Sequence, residues 1–262
     1  MKKRVISGIV IAAILIPIII IGGFLFDVAM LVLSALGYME FLSLEKQDTT
    51  PNIMKVIGFV EIVVISFARI TLGVFTYNLS FSLLSILLLV LLIPTIFLST
   101  KGYGAKEAFN LAIKVIFLGI AFNEIIMLFT DNKMLFVYVL LVSMATDVFA
   151  LFGGKLIGKH KFTKISPNKT IEGCISGLVF STIIGTFFYT TFFNYSSLAL
   201  IIGVTIVLSV TGQIGDLFFS LIKREHDIKD FSNLIPGHGG VLDRLDNLIF
   251  CVMIFSFIIK VL

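Results

Sequence analysis

Long apolar runs separated by polar or glycine-bearing punctuation dominate the chain. They predict nine helical spans, at about 5–21, 24–44, 53–70, 80–98, 109–129, 134–152, 171–193, 198–221 and 245–262. Each approaches the ~20 apolar residues a helix needs to cross a bilayer, where every backbone polar group must find an internal partner. The pattern therefore predicts an all-α, polytopic integral membrane protein. The first span opens on Lys2-Lys3-Arg4 like a signal peptide but lacks a small-x-small cleavage site, so it reads as a retained span.

Charge then orients the spans. Of the 20 Lys and Arg residues, only Arg69, Lys133 and Lys260 fall on one side when the N-terminus is placed in the cytoplasm, so the rule for short loops gives an inside N-terminus and an outside C-terminus. The net charge of +4 is spread over these loops, so orientation accounts for it and nucleic acid does not enter. The two longest polar loops, 153–170 and 222–244, face the cytoplasm together. With 58% hydrophobic and 14% charged residues the chain lies outside the soluble range. Cys174 and Cys251 lie in spans and read as small buried hydrophobes. Polar motifs are sparse in residues 1–130, about five spans, and concentrate in 131–262, where the chemistry is expected.

Charge collects most densely between residues 220 and 246, with four cations (Lys223, Arg224, Lys229, Arg244) and five acids (Glu225, Asp227, Asp230, Asp243, Asp246). A solvated loop explains some of these. It does not explain Asp216 and Asp246 inside the flanking apolar runs, where a lone carboxylate costs on the order of 2.5 to 3.5 kcal/mol. Ser209, Gln213, Asp216, Ser220 and Lys223 recur at helical spacing and share one face of the eighth span. Asp243, Asp246 and Asn247 share a face at the start of the ninth. The helix dipole explains one such acid. Two of them together with Asp216 suit a hard cation that also takes phosphate oxygens.

Other stretches add to this picture. Pro236-Gly237-His238-Gly239-Gly240 lets the backbone approach a ligand and turn sharply. In Ser166-Pro167-Asn168-Lys169-Thr170, Thr170 is placed to cap the next helix, and Lys169 offers a phosphate contact at its N-terminus. Asp147, near the cytoplasmic end of the sixth span, either completes the cation site or pairs with a loop lysine. Gly173, Gly177, Ser181 and Gly185 form a small-residue stripe for close helix contact. Glu40, Glu61 and Glu124 lie near or within spans with no phosphate-type motif around them.

Ser220, Lys223-Arg224, Lys229-Asp230, Ser232, Pro236, His238-Gly239-Gly240, Asp243-Arg244 and Asp246 resemble the signature of the phosphatidate cytidylyltransferases (CDP-diacylglycerol synthases). Asp147, Gly158-Lys159-His160-Lys161 and Ser166 to Thr170 with Glu172-Gly173 resemble that family's other polar segment. The resemblance covers roughly the last 120 residues. It implies transfer of the cytidylyl group of CTP to phosphatidic acid, giving CDP-diacylglycerol and pyrophosphate, by a usually dimeric enzyme of the cell membrane with its active site facing the cytoplasm. It also implies Mg²⁺, with scope for a second cation, on Asp216, Asp243 and Asp246. Lys223, Arg224 and Lys229 would share the catalytic centre with these aspartates, and Ser166, Asn168, Lys169, Thr170, Ser220, His238, Gly239, Gly240, Arg244 and Asp147 would bind substrate. The rival readings are a cation- or proton-coupled transporter, which expects midplane carboxylates and repeat symmetry, and another CTP-using lipid kinase or transferase.

Overall fold

The computed structural model describes residues 2–45, 49–68, 71–72, 75–76, 80–99, 103–235, 237 and 239–261, with the backbone alone for 2–7, 71–72 and 75–76. The architecture is helical: α1 (Lys2–Ile21), α2 (Gly23–Leu42), α3 (Asn52–Ser66), α4 (Phe81–Leu92), α5 (Thr95–Leu98), α6 (Ala105–Asp131), α7 (Lys133–Ile157), α8 (Ile171–Phe192), α9 (Leu198–Glu225) and α10 (Leu242–Val261). Between α3 and α4, β1 (Thr71–Leu72) and β2 (Phe75–Thr76) pair antiparallel. A helix coincides with every apolar run read from the sequence. Among the described residues six stretches are long and apolar enough to cross a membrane: α2, α4 with α5, α6, α7, α8 and α9. Large side chains such as Phe24, Phe81, Phe97 and Phe187 stand exposed on the helices, as lipid-facing residues do.

Local chemistry sets the breaks. Gly22 and Gly23 both take positive φ, a conformation that separates α1 from α2 and suits residues without Cβ. Pro94, lacking an N–H, ends α4 and begins the single turn of α5. Asn132 and Ser197 cap α7 and α9 through side-chain oxygens. α9 continues through Glu225, so Lys223 and Arg224 ride on its last turn rather than in the loop predicted from 222. Cations there suit the helix dipole. The helix ends when Asp227 adopts φ 57° and the Ile228 N–H reaches back to the Lys223 carbonyl at 2.9 Å. At the other side of the loop, α10 begins early enough to include Asp243 and Arg244.

The chain forms two compact units, Met1–Met127 with Phe231–Val241, and Leu128–Asp230 with Leu242–Leu262. The second is a bundle of α7, α8, α9 and α10. The small-residue stripe of α8 is buried, as its spacing predicts. A Cβ on Gly177 would stand 2.7 Å from the Thr146 carbonyl, and one on Gly173 2.6 Å from that of Ala150, so α7 and α8 approach to backbone contact. Deeper in the bundle Ser209 Oγ lies 3.0 Å from Thr146 Oγ1 and 2.9 Å from Ser181 Oγ, and Tyr138 OH lies 2.7 Å from Thr205 Oγ1. In the first unit α3 meets α6, where Asn123 Nδ2 donates to the Ser66 carbonyl at 3.1 Å, and Phe41 of α2 packs on Phe117 of α6.

Candidate active site

The polar face of α9 is where its spacing places it. Gln213 donates to the Cys174 carbonyl of α8 at 3.3 Å, Asp216 pairs with Lys169, Ser220 Oγ donates to Asp216 Oδ1 at 3.5 Å, and Lys223 pairs with Asp243. Every member of the stripe from Ser209 to Lys223 thus points into the α7–α10 bundle. The Lys223–Asp243 pair is 2.6 Å long and buried, with side chains 10% and 3% exposed. The Lys169–Asp216 pair is a quarter exposed. These two differ in kind, since a buried ion pair must offset desolvation while a partly wet one contributes little stability.

Lys169 is delivered by a folded loop. The Phe162 N–H donates to the Lys169 carbonyl at 2.9 Å, the Ile171 N–H to the His160 carbonyl at 3.0 Å, and the Lys169 N–H to the Ser166 carbonyl at 3.0 Å. Glu172, in the first turn of α8, closes the base by accepting the N–H groups of Lys159 and His160, with His160 Nδ1 at 2.6 Å. Thr170 accepts the Gly173 N–H at 3.1 Å, the cap predicted from sequence. Glu172 belongs to the second polar segment of the sequence, and its clamp on residue 160 explains why an acid stands there. Ser166 shapes the turn through its carbonyl, and Asn168 is exposed on it.

α7 and α10 complete the cluster. Asn247 Nδ2 donates to Asp147 Oδ1 at 2.8 Å and to the Ser143 carbonyl at 3.3 Å, which fixes the orientation of Asp147. Asn247 was not among the predicted site residues, although its place on the face of Asp243 and Asp246 was the signal for it. Asp246 is buried, accepts the Asn247 N–H at 2.9 Å, and lies within electrostatic range of Asp216, Asp147 and Lys223. Asp147 likewise interacts with Asp216, Lys169 and Arg244. One polar cluster, Asp147, Lys169, Asp216, Ser220, Lys223, Asp243, Arg244 and Asp246, therefore draws on α7, α9, α10 and the loop that precedes α8. Arg224 and Lys229 are exposed; Arg224 folds back on the Ile228 carbonyl at 2.9 Å, and among the described residues neither is paired with these aspartates.

The acids offer hard oxygen donors, the chemistry Mg²⁺ prefers, and such an ion needs only one or two protein carboxylates when phosphate oxygens and water fill its other positions. Among the described residues no three His, Cys, Asp or Glu side chains form a closed metal cage.

Ser232, Gly239 and Gly240 of the signature fold within the first unit. Ile235 and Gly239 exchange backbone hydrogen bonds of 2.9 and 3.2 Å around a turn in which Gly237 and Gly239 take φ 78° and 82°. Pro236 and His238 lie outside the described residues. Glu40 of α2 meets this loop: its Oε1 accepts from Ser232 Oγ at 2.7 Å and from the Val241 N–H at 2.8 Å. No local signal around Glu40 announces these bonds, because its partners lie some two hundred residues away. Glu61 of α3 is buried with neither carboxyl oxygen hydrogen-bonded among the described residues.

The sequence profile of the cytidylyltransferase family matches residues 2–262. The chain is 32% identical to the phosphatidate cytidylyltransferase of Staphylococcus haemolyticus and 30% identical to that of Staphylococcus aureus, with 99% of each chain covered. It is 27% identical to the phosphatidate cytidylyltransferase of Bacillus subtilis, over 99% of this chain and 97% of that one. With the family's profile matched along its whole length, the chain belongs to the cytidylyltransferase family.

Proposed function

We propose that this protein transfers the cytidylyl group of CTP to phosphatidic acid, giving CDP-diacylglycerol and pyrophosphate for phospholipid synthesis. The observation that carries the reading is the convergence of Lys169–Asp216 and Lys223–Asp243 with Asp147, Asp246 and Arg244 within one apolar bundle.

Phosphatidate already carries an anionic oxygen, so no serine, cysteine or strong base has to create a nucleophile. That oxygen forms a bond to the α-phosphorus of CTP. The bond from the α-phosphorus to the bridging oxygen breaks, and its electron pair leaves with pyrophosphate. The protein's task is to bring two anions together in line and to neutralise charge. Lys169 and Lys223, with Arg244, Arg224 and Lys229, bind the triphosphate and the lipid phosphate, Ser220 holds Asp216 in place, and Asn247 holds Asp147. Ser166, Asn168 and Thr170 belong to the substrate loop, and His238, Gly239 and Gly240 to a backbone turn for phosphate. Asp216, Asp243 and Asp246 would hold Mg²⁺, which when bound supplies charge stabilisation for the departing pyrophosphate.

The same reading includes nine membrane crossings with the N-terminus in the cytoplasm and the C-terminus outside, residence in the cell membrane, and a homodimer. The lipid reaches the site sideways, its acyl chains remaining in the bilayer while its headgroup meets cytosolic CTP. Labelled CTP supplied to the purified protein with phosphatidic acid, with a polyprenol, or with no lipid tests the acceptor. Consumption only with phosphatidic acid supports the reading, and consumption with the polyprenol transfers it to a lipid kinase.

A further inference from the structure

We infer that Glu172 is a positioning residue for this reaction, fastening the legs of the 158–170 loop so that Lys169 stands ready for a substrate phosphate; the inference rests on the cytidylyl-transfer reading. Lys169 carries its ammonium on a flexible four-carbon stem, so its placement depends on how firmly its backbone is held. Both of its backbone groups are engaged. Its N–H donates to the Ser166 carbonyl at 3.0 Å, and its carbonyl accepts the Phe162 N–H at 2.9 Å. The second bond belongs to a short antiparallel pairing of the two legs, whose other rung runs from the Ile171 N–H to the His160 carbonyl at 3.0 Å. Two rungs alone make a marginal ribbon in water.

Glu172 reinforces the base of that ribbon. Its Oε2 accepts the Lys159 N–H at 3.1 Å and the His160 N–H at 3.2 Å, and its Oε1 lies 2.6 Å from His160 Nδ1. Hydrogen bonds to a carboxylate are roughly twice as strong as neutral ones. The grip falls on the first leg at the rung of His160, where separation of the legs would begin. Gly158 shows how close the legs run, since a Cβ there would stand 2.7 Å from Thr170 Oγ1. Lys169 leaves the opposite leg three residues before Glu172 and pairs with Asp216 of α9. None of the Glu172 bonds reaches Lys169 or Asp216, so its action on the site runs through the loop. The dipole of α8 also favours an acid in this first turn. That favours the charge of Glu172 and leaves its reach to residues 159 and 160 unexplained.

The test measures kcat/KM for CTP in lipid nanodiscs with phosphatidic acid and Mg²⁺, alongside the melting curve, for Glu172→Ala, Glu172→Gln and Glu172→Asp in the wild type and for Glu172→Ala in a Lys169→Ala background. Glu172→Ala is expected to lower kcat/KM about tenfold in the wild type, the scale of a misplaced contact, with a melting curve close to wild type. In the Lys169→Ala background the same change costs less than about twofold, because the residue it positions is gone. Glu172→Gln keeps the reach without the charge and is expected within about threefold of wild type. Glu172→Asp keeps the charge one methylene short and stays close to Glu172→Ala. An unchanged kcat/KM in Glu172→Ala, an equal loss in both backgrounds, or recovery by Asp and not by Gln overturns the inference. If Glu172→Ala does not fold, His160→Ala removes one of the three contacts and takes its place, with a loss of about threefold expected in the wild type and none in the Lys169→Ala background. A folded wild type that does not consume CTP overturns the proposed function instead.

Discussion

Lys223 Nζ lies 2.6 Å from Asp243 Oδ1, the lysine 10% and the aspartate 3% exposed. The pair joins the last turn of α9 to the first turn of α10, and each member lies on a face its spacing predicted. Removing one partner of a buried pair leaves the other charge uncompensated, at about 3–5 kcal/mol. Lys223→Ala is therefore expected to lower the thermal unfolding midpoint in detergent sharply. Asp243→Asn keeps an oxygen acceptor for the ammonium but not the balancing charge, so it is expected to lose less stability than Lys223→Ala, while CTP-dependent turnover per folded molecule falls at least about a hundredfold. Comparing melting curves with turnover for the two variants checks this.

Lys169–Asp216 should behave in the opposite way. Being a quarter exposed, the pair contributes about 0–1 kcal/mol to stability. Lys169→Ala is expected to leave the melting curve nearly unchanged while lowering kcat/KM for CTP about a hundredfold, the scale of losing one preorganised charge contact. Steady-state kinetics on a protein shown to be folded reads both quantities.

The stripe on α8 predicts a purely structural effect. Gly177→Ala would drive a Cβ to 2.7 Å from the Thr146 carbonyl, and overpacking of this kind costs about 1–3 kcal/mol. Thermal unfolding should fall accordingly, with kcat per folded molecule close to wild type.

Chelation separates the metal assignment from the lysines. EDTA is expected to abolish turnover and added Mg²⁺ to restore it, with Asp216→Asn needing a higher Mg²⁺ concentration than wild type. Full activity after exhaustive chelation would remove Asp216, Asp243 and Asp246 from a metal role.

Much of this was legible because helical spacing is a local signal. Ser209, Gln213, Asp216, Ser220 and Lys223 declare one face by their intervals alone, and the bundle satisfies each of them with a partner. Thr170 announced the start of α8 through cap chemistry. Helix ends were harder, since the charged residues after 222 look like loop until the dipole of α9 and the backbone of Asp227 are taken into account. Partners distant in sequence were hidden altogether. Nothing near Glu40 signals a bond to Ser232 or Val241, and Asn247 could be placed on a face without showing that Asp147 would accept from it.

The most direct measurement follows labelled CTP in nanodiscs containing phosphatidic acid and Mg²⁺, with wild type beside Asp243→Asn. The account predicts CDP-diacylglycerol and pyrophosphate in equal amounts from wild type, dependent on phosphatidic acid, and at most about one hundredth of that rate from the folded variant. Near-normal product from Asp243→Asn, or CTP consumption independent of phosphatidic acid, would contradict it.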